Sequence, residues 1–502
     1  MPHHEELVTR IAAVVKAFFG RKESFRIFHG STNSTRPIQS GPVVDISALS
    51  NVIKVDRSSM TAVVEPNVPM DKLVQATLAH DMIPPVVMEF PGITVGGGFS
   101  GSAGESSSFK YGYFDETVKS VEMVLADGKV VKASEHENPD LFKGAGGSLG
   151  TLGITTKLEV RLIPAKKYVK LVYHPCCSIH DTIATIREAT QDPKNDYVDG
   201  IIFSKDHGLI MTGQLTDDVP ESEKLPKFSG SWDQWFHIHA QQKPTDAPST
   251  DYIAIAEYLF RYDRGGFWVG AQAFKYFSFV PFNRFTRWFL NDFMHTRMLY
   301  RALHAGNMSF GYMIQDLSLP YDTVEEFIEY TSQKLDIWPL WLCPLRAIDP
   351  PTFHPWTADP SKGDLPQPML NVGLWGAASQ SRAEFLRQNR DLETRLTELG
   401  GRKVLYSHVY YDEEEFWRLY DRTWYQNLRQ RYAATNLPTV FEKVKTDAVG
   451  SIQQHSQGPS WIRWLASLWP FAGFIGIRHA IRSKDYMIHR QPSWSYWKLD
   501  EK

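Results

Sequence analysis

The first apolar stretch of the chain has the periodicity of an amphipathic helix. Its apolar positions recur every three or four residues, at Leu7, Ile11, Val14, Val15, Phe18 and Phe19. This pattern predicts a helix over residues 5–20, ending near Gly20, in an amino-terminal unit of residues 1–23. Such a helix either packs on the domain that follows or lies on a membrane surface.

From Ser24 onwards, short β-branched and apolar runs separated by turn residues predict strands. The predicted elements are strands over Phe25–Phe28, Val43–Ile46, Val52–Val55 and Thr61–Glu65, a helix over Met70–His80, and a strand over Ile154–Ile163. Val118–Leu125 and Lys129–Lys132 flank Asp127-Gly128, which is a strong hairpin signal. The mixture of strands and helices indicates an α+β or α/β domain over residues 24–165.

The composition changes after this first domain. Residues 166–445 mix strands with long helical patterns such as Thr323–Leu335 and Arg382–Leu399, which predicts a second domain. Within it, Leu405–Tyr411 is expected to be a strand. Residues 446–502 differ again, because a polar stretch is followed by a Trp-rich apolar run, and we interpret them as a carboxyl-terminal extension.

Composition and charge narrow the class of protein. The 502 residues are 42% hydrophobic, enough for a large core, and the net charge of −3 with no basic block makes nucleic acid an unfavoured partner. The three cysteines have no metal-ligand or disulfide spacing, so no metal site is predicted and a reducing compartment is expected. The first residues do not have the pattern of a signal peptide.

One glycine-rich segment, Gly96–Gly101, matches the dinucleotide pattern G-x-G-x-x-G. The Rossmann interpretation of this pattern requires a strand immediately before it and a helix immediately after it. Pro91 and Gly92 interrupt any preceding strand, and the serine-rich stretch after Gly101 is a poor helix start. The pattern alone therefore does not indicate a Rossmann fold.

Three glycine- and hydroxyl-rich segments together favour a long dinucleotide cofactor. They begin at His29, at Pro91 and at Gly147, and backbone N–H groups in such loops can form nests for a pyrophosphate. Three segments in this order fit FAD better than a single phosphate. The predicted cofactor-binding residues are His29, Gly30, Ser31, Thr32, Asn33, Thr94, Val95, Gly96, Gly97, Gly98, Gly101, Gly104, Glu105, Ser106, Ser107, Tyr111, Gly112, Gly150, Gly153 and Ile154.

The order of these segments resembles the FAD domain of the vanillyl-alcohol-oxidase (PCMH) type. Within that superfamily, several motifs resemble the Δ24-sterol reductase (Diminuto/Dwarf) family over roughly residues 24–445. They are Phe28–Arg36, Thr94–Gly112, Leu125–Gly128, Ile163–Leu171, Ile337–Pro344, Val404–Tyr411 and Glu413–Trp417. The resemblance implies an α+β fold with a cap domain, and FAD- and NADPH-dependent reduction of the C24–C25 double bond of a sterol side chain.

Two departures from that family shape further expectations. Family members usually begin with a transmembrane anchor, whereas here the FAD domain begins about two dozen residues from the start, so no such anchor is predicted. Related flavin domains often carry a covalently linked His after the first loop. Asn33 occupies that position, so FAD is expected to be bound non-covalently. An FAD-dependent oxidase or dehydrogenase of an alcohol or hydroxy acid, and a sterol-binding scaffold without activity, are the competing functions.

Two aromatic segments are candidates for contact with a membrane. Phe267–Phe293 and Trp464–Ile477 combine aromatic residues with neighbouring Arg or Lys, which suits the lipid headgroup region. Neither is an apolar run of the length that a spanning helix needs. The resulting expectation is peripheral association with the cytosolic face of the endoplasmic reticulum, or a cytoplasmic protein if both segments are core. The oligomeric state is open.

Reducing an isolated alkene needs a proton donor as well as a hydride source. On the predicted strand Leu405–Tyr411, alternate residues share a face, which places Tyr406, His408 and Tyr410 together. These three are the catalytic candidates, with His408 or Tyr410 as the acid. The alternative is that they are hydrogen-bonded core or surface residues.

Overall fold

The computed structural model describes residues 2–30, 41–299, 311–357, 365–379 and 381–446, and isolated positions between 476 and 487. None of the helices within these ranges combines the length and the apolar composition that a membrane span needs. Residues 464–475 of the Trp464–Ile477 segment, and nearly all of the carboxyl-terminal extension, lie outside the described residues.

An antiparallel five-stranded sheet forms the first half of the fold. Its strand order is β3-β4-β8-β6-β7, and two small two-stranded sheets, β1-β2 and β5-β9, lie beside it. The strands are β1 (Arg26–Phe28), β2 (Val43–Asp45), β3 (Val52–Asp56), β4 (Thr61–Val64), β5 (Met82–Ile83), β6 (Val118–Leu125), β7 (Val130–Ser134), β8 (Gly153–Arg161) and β9 (Ile163–Pro164). The hairpin predicted across Asp127-Gly128 is confirmed as β6–β7.

An antiparallel eight-stranded sheet forms the second half, in the order β13-β10-β12-β11-β15-β16-β14-β17. Its strands are β10 (Tyr168–Cys176), β11 (Tyr197–Ser204), β12 (His207–Thr216), β13 (Ser249–Ala254), β14 (Tyr312–Pro320), β15 (Leu340–Leu345), β16 (Met369–Ala377) and β17 (Arg402–Lys403). Alternate residues point to opposite faces of this sheet. Tyr197 and Trp341 join the core of the first half, whereas Val198 and Leu342 join a separate core.

The helices complete the two layers. They are α1 (Pro2–Gly20), α2 (Met70–Leu78), α3 (Val95–Ser100), α4 (Ser108–Tyr111), α5 (Pro139–Ala145), α6 (Ile179–Ala189), α7 (Phe236–Gln241), α8 (Ile255–Leu259), α9 (Val269–Tyr276), α10 (Arg284–Phe289), α11 (Val324–Lys334), α12 (Arg382–Glu398), α13 (Glu413–Leu419), α14 (Arg422–Arg431) and α15 (Val440–Val444). Helices α6, α11 and α12 cover the outer face of the eight-stranded sheet. The inner face is therefore left to pack against the first half.

The amino-terminal helix packs on the five-stranded sheet, as the first of the two alternatives predicts. Its Val8, Ile11 and Val15 are buried in the shared core. The His4 ring lies between two carboxylates, with Nδ1 2.8 Å from Glu65 and Nε2 2.9 Å from Glu122. The apolar stripe seen in the sequence is thus mostly covered by protein.

The chain returns to the first half after the eight-stranded sheet. Tyr425 on α14 donates a hydrogen bond of 2.7 Å from its hydroxyl to Thr151, and Arg431 pairs with Asp140 on α5 at 2.8 Å. A segment far along the sequence therefore completes the surroundings of the loop between α5 and β8.

The predicted strand Leu405–Tyr411 is wrong. Leu405 and Tyr406 form a turn, and Val409 makes only an isolated bridge to Lys445. Side chains take the place of a neighbouring strand, because Lys403 donates to the His408 carbonyl and the Tyr410 N–H donates to Glu393. The alternation in the sequence still matches alternating exposure, since Leu405, Ser407 and Val409 are buried, whereas Tyr406, His408 and Tyr410 are half-buried.

Candidate flavin site and buried acidic cluster

The described parts of the three glycine-rich segments lie together. The Leu149 N–H donates to the Ser100 carbonyl at 2.9 Å, which joins the third segment to the second. Gly150 has a φ of +70°, and a Cβ on it would lie 2.8 Å from the Ile27 side chain on β1, which joins the third segment to the first. His29 and Gly30 follow β1 directly. Ser31, Thr32 and Asn33 lie outside the described residues.

The backbone around α3 differs from the open nest that the sequence suggests. The N–H groups of Val95 and Gly96 donate to carbonyls of the preceding β4–α2 loop, and those of Gly97 and Gly98 donate to the Thr94 side chain and carbonyl at 3.1 and 2.8 Å. Thr94 caps α3, so these four donors are used within the protein. Contact of these four residues with a cofactor stays a prediction. Residues 84–94, which lead into α3, include no strand, in line with the rejection of the Rossmann interpretation.

The second segment continues from α3 to the inner face of the eight-stranded sheet. The Ser106 carbonyl accepts from the Val198 N–H on β11 at 2.7 Å, and the Ser107 hydroxyl donates to the Pro85 carbonyl at 2.8 Å. A Cβ on Gly104 would lie 2.8 Å from Leu345 on β15. Gly104 to Ser107 therefore form the junction between the two halves.

Several predicted cofactor residues have structural roles of their own. A Cβ on Gly112, whose φ is +80°, would overlap the Glu116 carboxylate, and a Cβ on Gly153 would lie 2.8 Å from the Val124 carbonyl. A Cβ on Gly101 would likewise lie too close to its surroundings, 2.7 Å from the Gly97 carbonyl oxygen. Ile154 is a buried residue of β8 and Tyr111 is a half-buried residue at the end of α4. Contact of these residues with a cofactor stays a prediction.

We call the described parts of the three glycine-rich segments, which lie together, the loop cluster. Two polar groups at this cluster were not predicted from the sequence as cofactor-binding groups. The Ser102 hydroxyl is buried and has no hydrogen-bond partner among the described residues, although a buried hydroxyl normally has one. The Lys443 ammonium donates to the Leu149 carbonyl at 2.6 Å and its charge acts on His29. Lys443 comes from α15, so only the tertiary structure brings this positive charge to the first and third segments.

A buried ion pair lies where the second segment meets the eight-stranded sheet. Arg261, 1% exposed, donates to Asp199 Oδ2 at 2.8 Å. The same oxygen accepts from the Tyr262 hydroxyl at 2.9 Å and from Trp341 Nε1 at 3.3 Å. Three donors, one of them charged, therefore converge on this one carboxylate oxygen.

Two further buried carboxyl groups surround this pair. Glu89 Oε1 lies 3.2 Å from Arg261 Nη2, without the alignment of a hydrogen bond. Glu105 accepts from the Glu89 backbone N–H. We call Glu89, Glu105 and Asp199, with Arg261 between them, the acidic cluster. Its three carboxyl groups face a single guanidinium.

Burial controls the protonation of this cluster. It raises the pKa of Glu89 to about 8, because desolvation and the Asp199 charge outweigh the attraction of Arg261. Burial and the neighbouring Glu89 raise the pKa of Glu105 well above its usual range. Burial therefore favours the neutral, protonated form of both glutamates.

Closely packed aromatic rings adjoin the acidic cluster, and we call them the aromatic wall. Phe267 stacks on Tyr262 with ring centroids 3.9 Å apart, and lies 5.3 Å from Trp341 and 4.6 Å from Trp375. Trp268 lies 5.6 Å from Trp375. Since Tyr262 and Trp341 also bind Asp199, the apolar and the ionisable parts of this region are directly connected.

The three catalytic candidates do not share one environment. Tyr406 hydrogen-bonds Asp316, a buried β14 carboxyl group whose pKa burial raises to about 6. Tyr410 packs its ring against Phe385 of α12, with centroids 6.2 Å apart. The carbonyl of His408 accepts from Lys403. A catalytic role for them stays a prediction, but they are not aligned on a strand face.

Comparison with known proteins was consistent with this architecture. A family model described as an FAD binding domain matches residues 2–134. The Delta(24)-sterol reductases of Macaca fascicularis and Homo sapiens are each 30% identical to the chain over 408 residues, covering 79% of this chain and 76% of theirs. The enzyme of that name from Pisum sativum is 30% identical over 438 residues, covering 80% of this chain and 76% of the pea protein.

This chain belongs to the Δ24-sterol reductase family.

The family assignment confirms the FAD prediction, and residues of this reductase-family chain fit the cofactor. The matched residues 2–134 contain the first two glycine-rich segments. The unpartnered Ser102 hydroxyl is a hydrogen-bond donor for a phosphate or ribityl oxygen, and Lys443 can neutralise a diphosphate charge. Ser102 and Lys443 therefore join the predicted set.

The glycines of α3 give a test of this part of the Δ24-sterol reductase fold. A Cβ on Gly96 would lie 2.7 Å from Pro66 Cβ and 3.0 Å from its carbonyl, whereas a Cβ on Gly97 meets mainly the Thr94 hydroxyl at 3.1 Å. We expect Gly96→Ala to destabilise the protein by about 1–3 kcal/mol through overpacking and to lower its FAD content, and Gly97→Ala to do less. Thermal unfolding and flavin absorbance of both purified variants check this. Equal effects would contradict the packing at Pro66.

Proposed function

We propose that this protein reduces the C24–C25 double bond of a sterol side chain, with FAD as cofactor and NADPH as hydride source. The observation that carries the proposal is the similarity to Delta(24)-sterol reductases over about four-fifths of the chain. The aromatic wall beside a buried acidic cluster supports it, because an apolar side chain needs apolar walls and its isolated alkene needs an acid.

Each part of the chain has a role in this proposal. FAD, when bound, supplies the hydride chemistry, which no amino-acid side chain provides. The loop cluster around Ser102 and Lys443 would hold the cofactor, and the junction Gly104–Ser107 connects this cluster to the inner face of the eight-stranded sheet. The aromatic wall excludes water from the reacting carbons.

Product analysis tests the proposal directly. Purified protein reconstituted with FAD is incubated with NADPH and desmosterol, a sterol with a C24–C25 double bond, and the extracted sterols are separated by mass spectrometry. The expected product is heavier by two hydrogens. Anaerobic addition of NADPH should bleach the flavin absorbance. Bleaching by an alcohol or hydroxy acid, with reoxidation by oxygen and no response to NADPH, would instead support the oxidase alternative.

We also propose that the protein associates peripherally with membranes through part of Phe267–Phe293. The beginning of that segment is core, since Phe267 and Phe274 are buried. Its end is exposed, with Phe285 61% and Phe289 70% accessible on α10. Arg284 and Arg287 lie on the same helix. Exposed aromatic residues beside arginines suit the headgroup region of a bilayer.

Replacing two exposed phenylalanines tests this membrane contact. We expect Phe285→Ser/Phe289→Ser to lower affinity for anionic phospholipid vesicles roughly ten-fold or more, since each lost apolar side chain contributes about 1.5–3 kcal/mol when fully buried. Co-sedimentation measures this. Leu365→Ser, at an apolar residue that is 77% exposed outside this segment, is the matched control. Unchanged sedimentation of the double variant would place the contact elsewhere.

For cellular location we propose the cytosolic face of the endoplasmic reticulum, where a membrane-dissolved sterol is accessible. The exposed end of Phe267–Phe293 supports this location, because it provides a surface for the bilayer. Recovery of the tagged full-length chain in microsomes, and its release by high salt or carbonate, is the expected result of fractionation. Recovery in the soluble fraction alone would favour the cytoplasmic alternative.

A further inference from the structure

We propose that Glu89 is the proton donor of the reduction, with its carboxyl group delivering the proton to C24 of the alkene. This inference rests on the proposed function, because it assigns a residue to a reaction not yet measured. Glu89 precedes α3 in a loop that the cofactor motifs flank but do not include. No sequence pattern pointed to it.

The surroundings of the Glu89 side chain differ from those of other buried carboxylates. It is 3% exposed, and neither carboxyl oxygen has a hydrogen bond within the described part of the chain. Glu65, which is equally buried, accepts hydrogen bonds from Asn51 and contacts His4. A buried carboxyl group left without hydrogen bonds is costly, so such groups in proteins generally call for an explanation such as a ligand or a catalytic role.

Charge balance explains why Glu89 holds a proton. Asp199 accepts from Arg261, Tyr262 and Trp341, and so compensates the guanidinium charge. Arg261, 3.2 Å from Glu89, then compensates a second buried anion only in part, and burial favours the neutral acid. The groups facing Glu89 from the surrounding elements are Arg261, Asp199, Glu105, Tyr258, Tyr262 and Cys343.

The position of Glu89 also suits the reaction. It contacts Arg261 at the inner face of the eight-stranded sheet, where Tyr262 and Trp341 continue into the aromatic wall. The neighbouring residue Phe90 packs on Phe267 of that wall, with ring centroids 5.6 Å apart. An apolar substrate lying along these rings would meet the acid in a dry site, where proton transfer is not lost to water.

The proposed reduction adds one proton and one hydride to the alkene. The O–H bond of Glu89 breaks, and its proton forms a C–H bond at C24 with the π electron pair of the alkene. The positive charge develops on C25, the more substituted carbon, which receives the hydride that NADPH has provided through the cofactor. The alkene is reduced, NADPH is oxidised, and the Glu89 carboxylate regains a proton from water.

Separate measurement of the two half-reactions tests the assignment. We expect Glu89→Gln to bind FAD and to be bleached by NADPH at a rate close to that of the wild type. Its reoxidation by desmosterol should be about 10²–10⁴-fold slower, the usual consequence of removing a positioned acid. Glu89→Asp should keep part of the rate. Glu65→Gln, the equally buried control, should reoxidise normally. A wild-type rate of reoxidation in Glu89→Gln would overturn the proposal. So would a loss of rate of this size that appears only in Tyr410→Phe or His408→Ala.

A pH series and an infrared measurement provide independent readouts. Because the protonated form is the active one, wild-type reoxidation should fall as the pH rises through the Glu89 pKa, and this fall should be absent from the residual rate of Glu89→Gln. The wild type should also show a protonated-carboxyl band at neutral pH that Glu89→Gln lacks. A pH dependence or band unchanged by the substitution would refute the assignment. If the wild type does not reduce desmosterol at all, the proposed function fails, while the band still reports on Glu89.

Discussion

Arg261→Met is expected to destabilise the protein by about 3–5 kcal/mol, one of the two largest effects of a single substitution in this structure. The substitution removes the one guanidinium that faces three buried carboxyl groups and leaves the Asp199 charge buried without its partner. The side chain also packs against aromatic rings, with its guanidinium carbon 4.1 Å from the Tyr258 centroid and 4.5 Å from that of Tyr262. Methionine keeps some of this packing but none of the charge.

Urea unfolding, followed by tryptophan fluorescence, measures this loss. The double variant Arg261→Met/Asp199→Asn should be more stable than Arg261→Met alone, because the amide oxygen still accepts from Tyr262 and Trp341 and the unpaired charge is gone. Arg387→Met, in the exposed pair with Glu384, is the control and should unfold like the wild type. If Arg261→Met also unfolds at the same urea concentration as the wild type, the buried charges are not coupled as described.

Lys403→Met is expected to cost a similar amount, about 3–5 kcal/mol, for a related reason. Lys403 and Glu393 form an ion pair of 2.6 Å whose side chains are 1% and 3% exposed. Lys403 also donates to the His408 carbonyl, and Glu393 accepts from the Tyr410 N–H. The substitution therefore leaves a buried carboxylate and releases the segment that the pair holds.

Hydrogen exchange gives this second prediction a local readout. Amides of residues 404–411 should exchange faster in Lys403→Met than in the wild type, with little change in β6 and β8 of the first sheet. Lys403→Met/Glu393→Gln should recover part of the stability, since glutamine still accepts from Tyr410 without a charge. Uniform acceleration over the whole chain, with no preference for residues 404–411, would argue against a local role for the pair.

Elements with short-range causes could be predicted from the sequence. The β6–β7 hairpin follows from Asp127-Gly128 between two β-branched runs, and α12 was expected over Arg382–Leu399 and extends over Arg382–Glu398. The resemblance identified the family and the cofactor because its motifs are short runs of residues that can be recognised without the tertiary structure. These inferences needed only neighbouring residues or recognisable motifs.

Features that depend on distant contacts could not be predicted. Glu89, Asp199 and Arg261 lie far apart in the sequence, and their significance arises only when the junction of the two halves buries them together. Leu405–Tyr411 alternates like a strand, yet Lys403 and Glu393 occupy its backbone groups. Phe267 and Phe289 belong to one aromatic run, but tertiary packing buries the first and exposes the second.

Because the chain returns to the first half, parts of the fold are completed in a particular order during translation. The loop cluster borders on Tyr425 and Lys443, which are synthesised long after the five-stranded sheet to which they attach. A nascent chain ending before these residues has both sheets but lacks the ammonium at Leu149. The loop cluster is therefore completed only after both sheets have been synthesised, and truncations before Lys443 should yield protein that has folded sheets but retains little flavin.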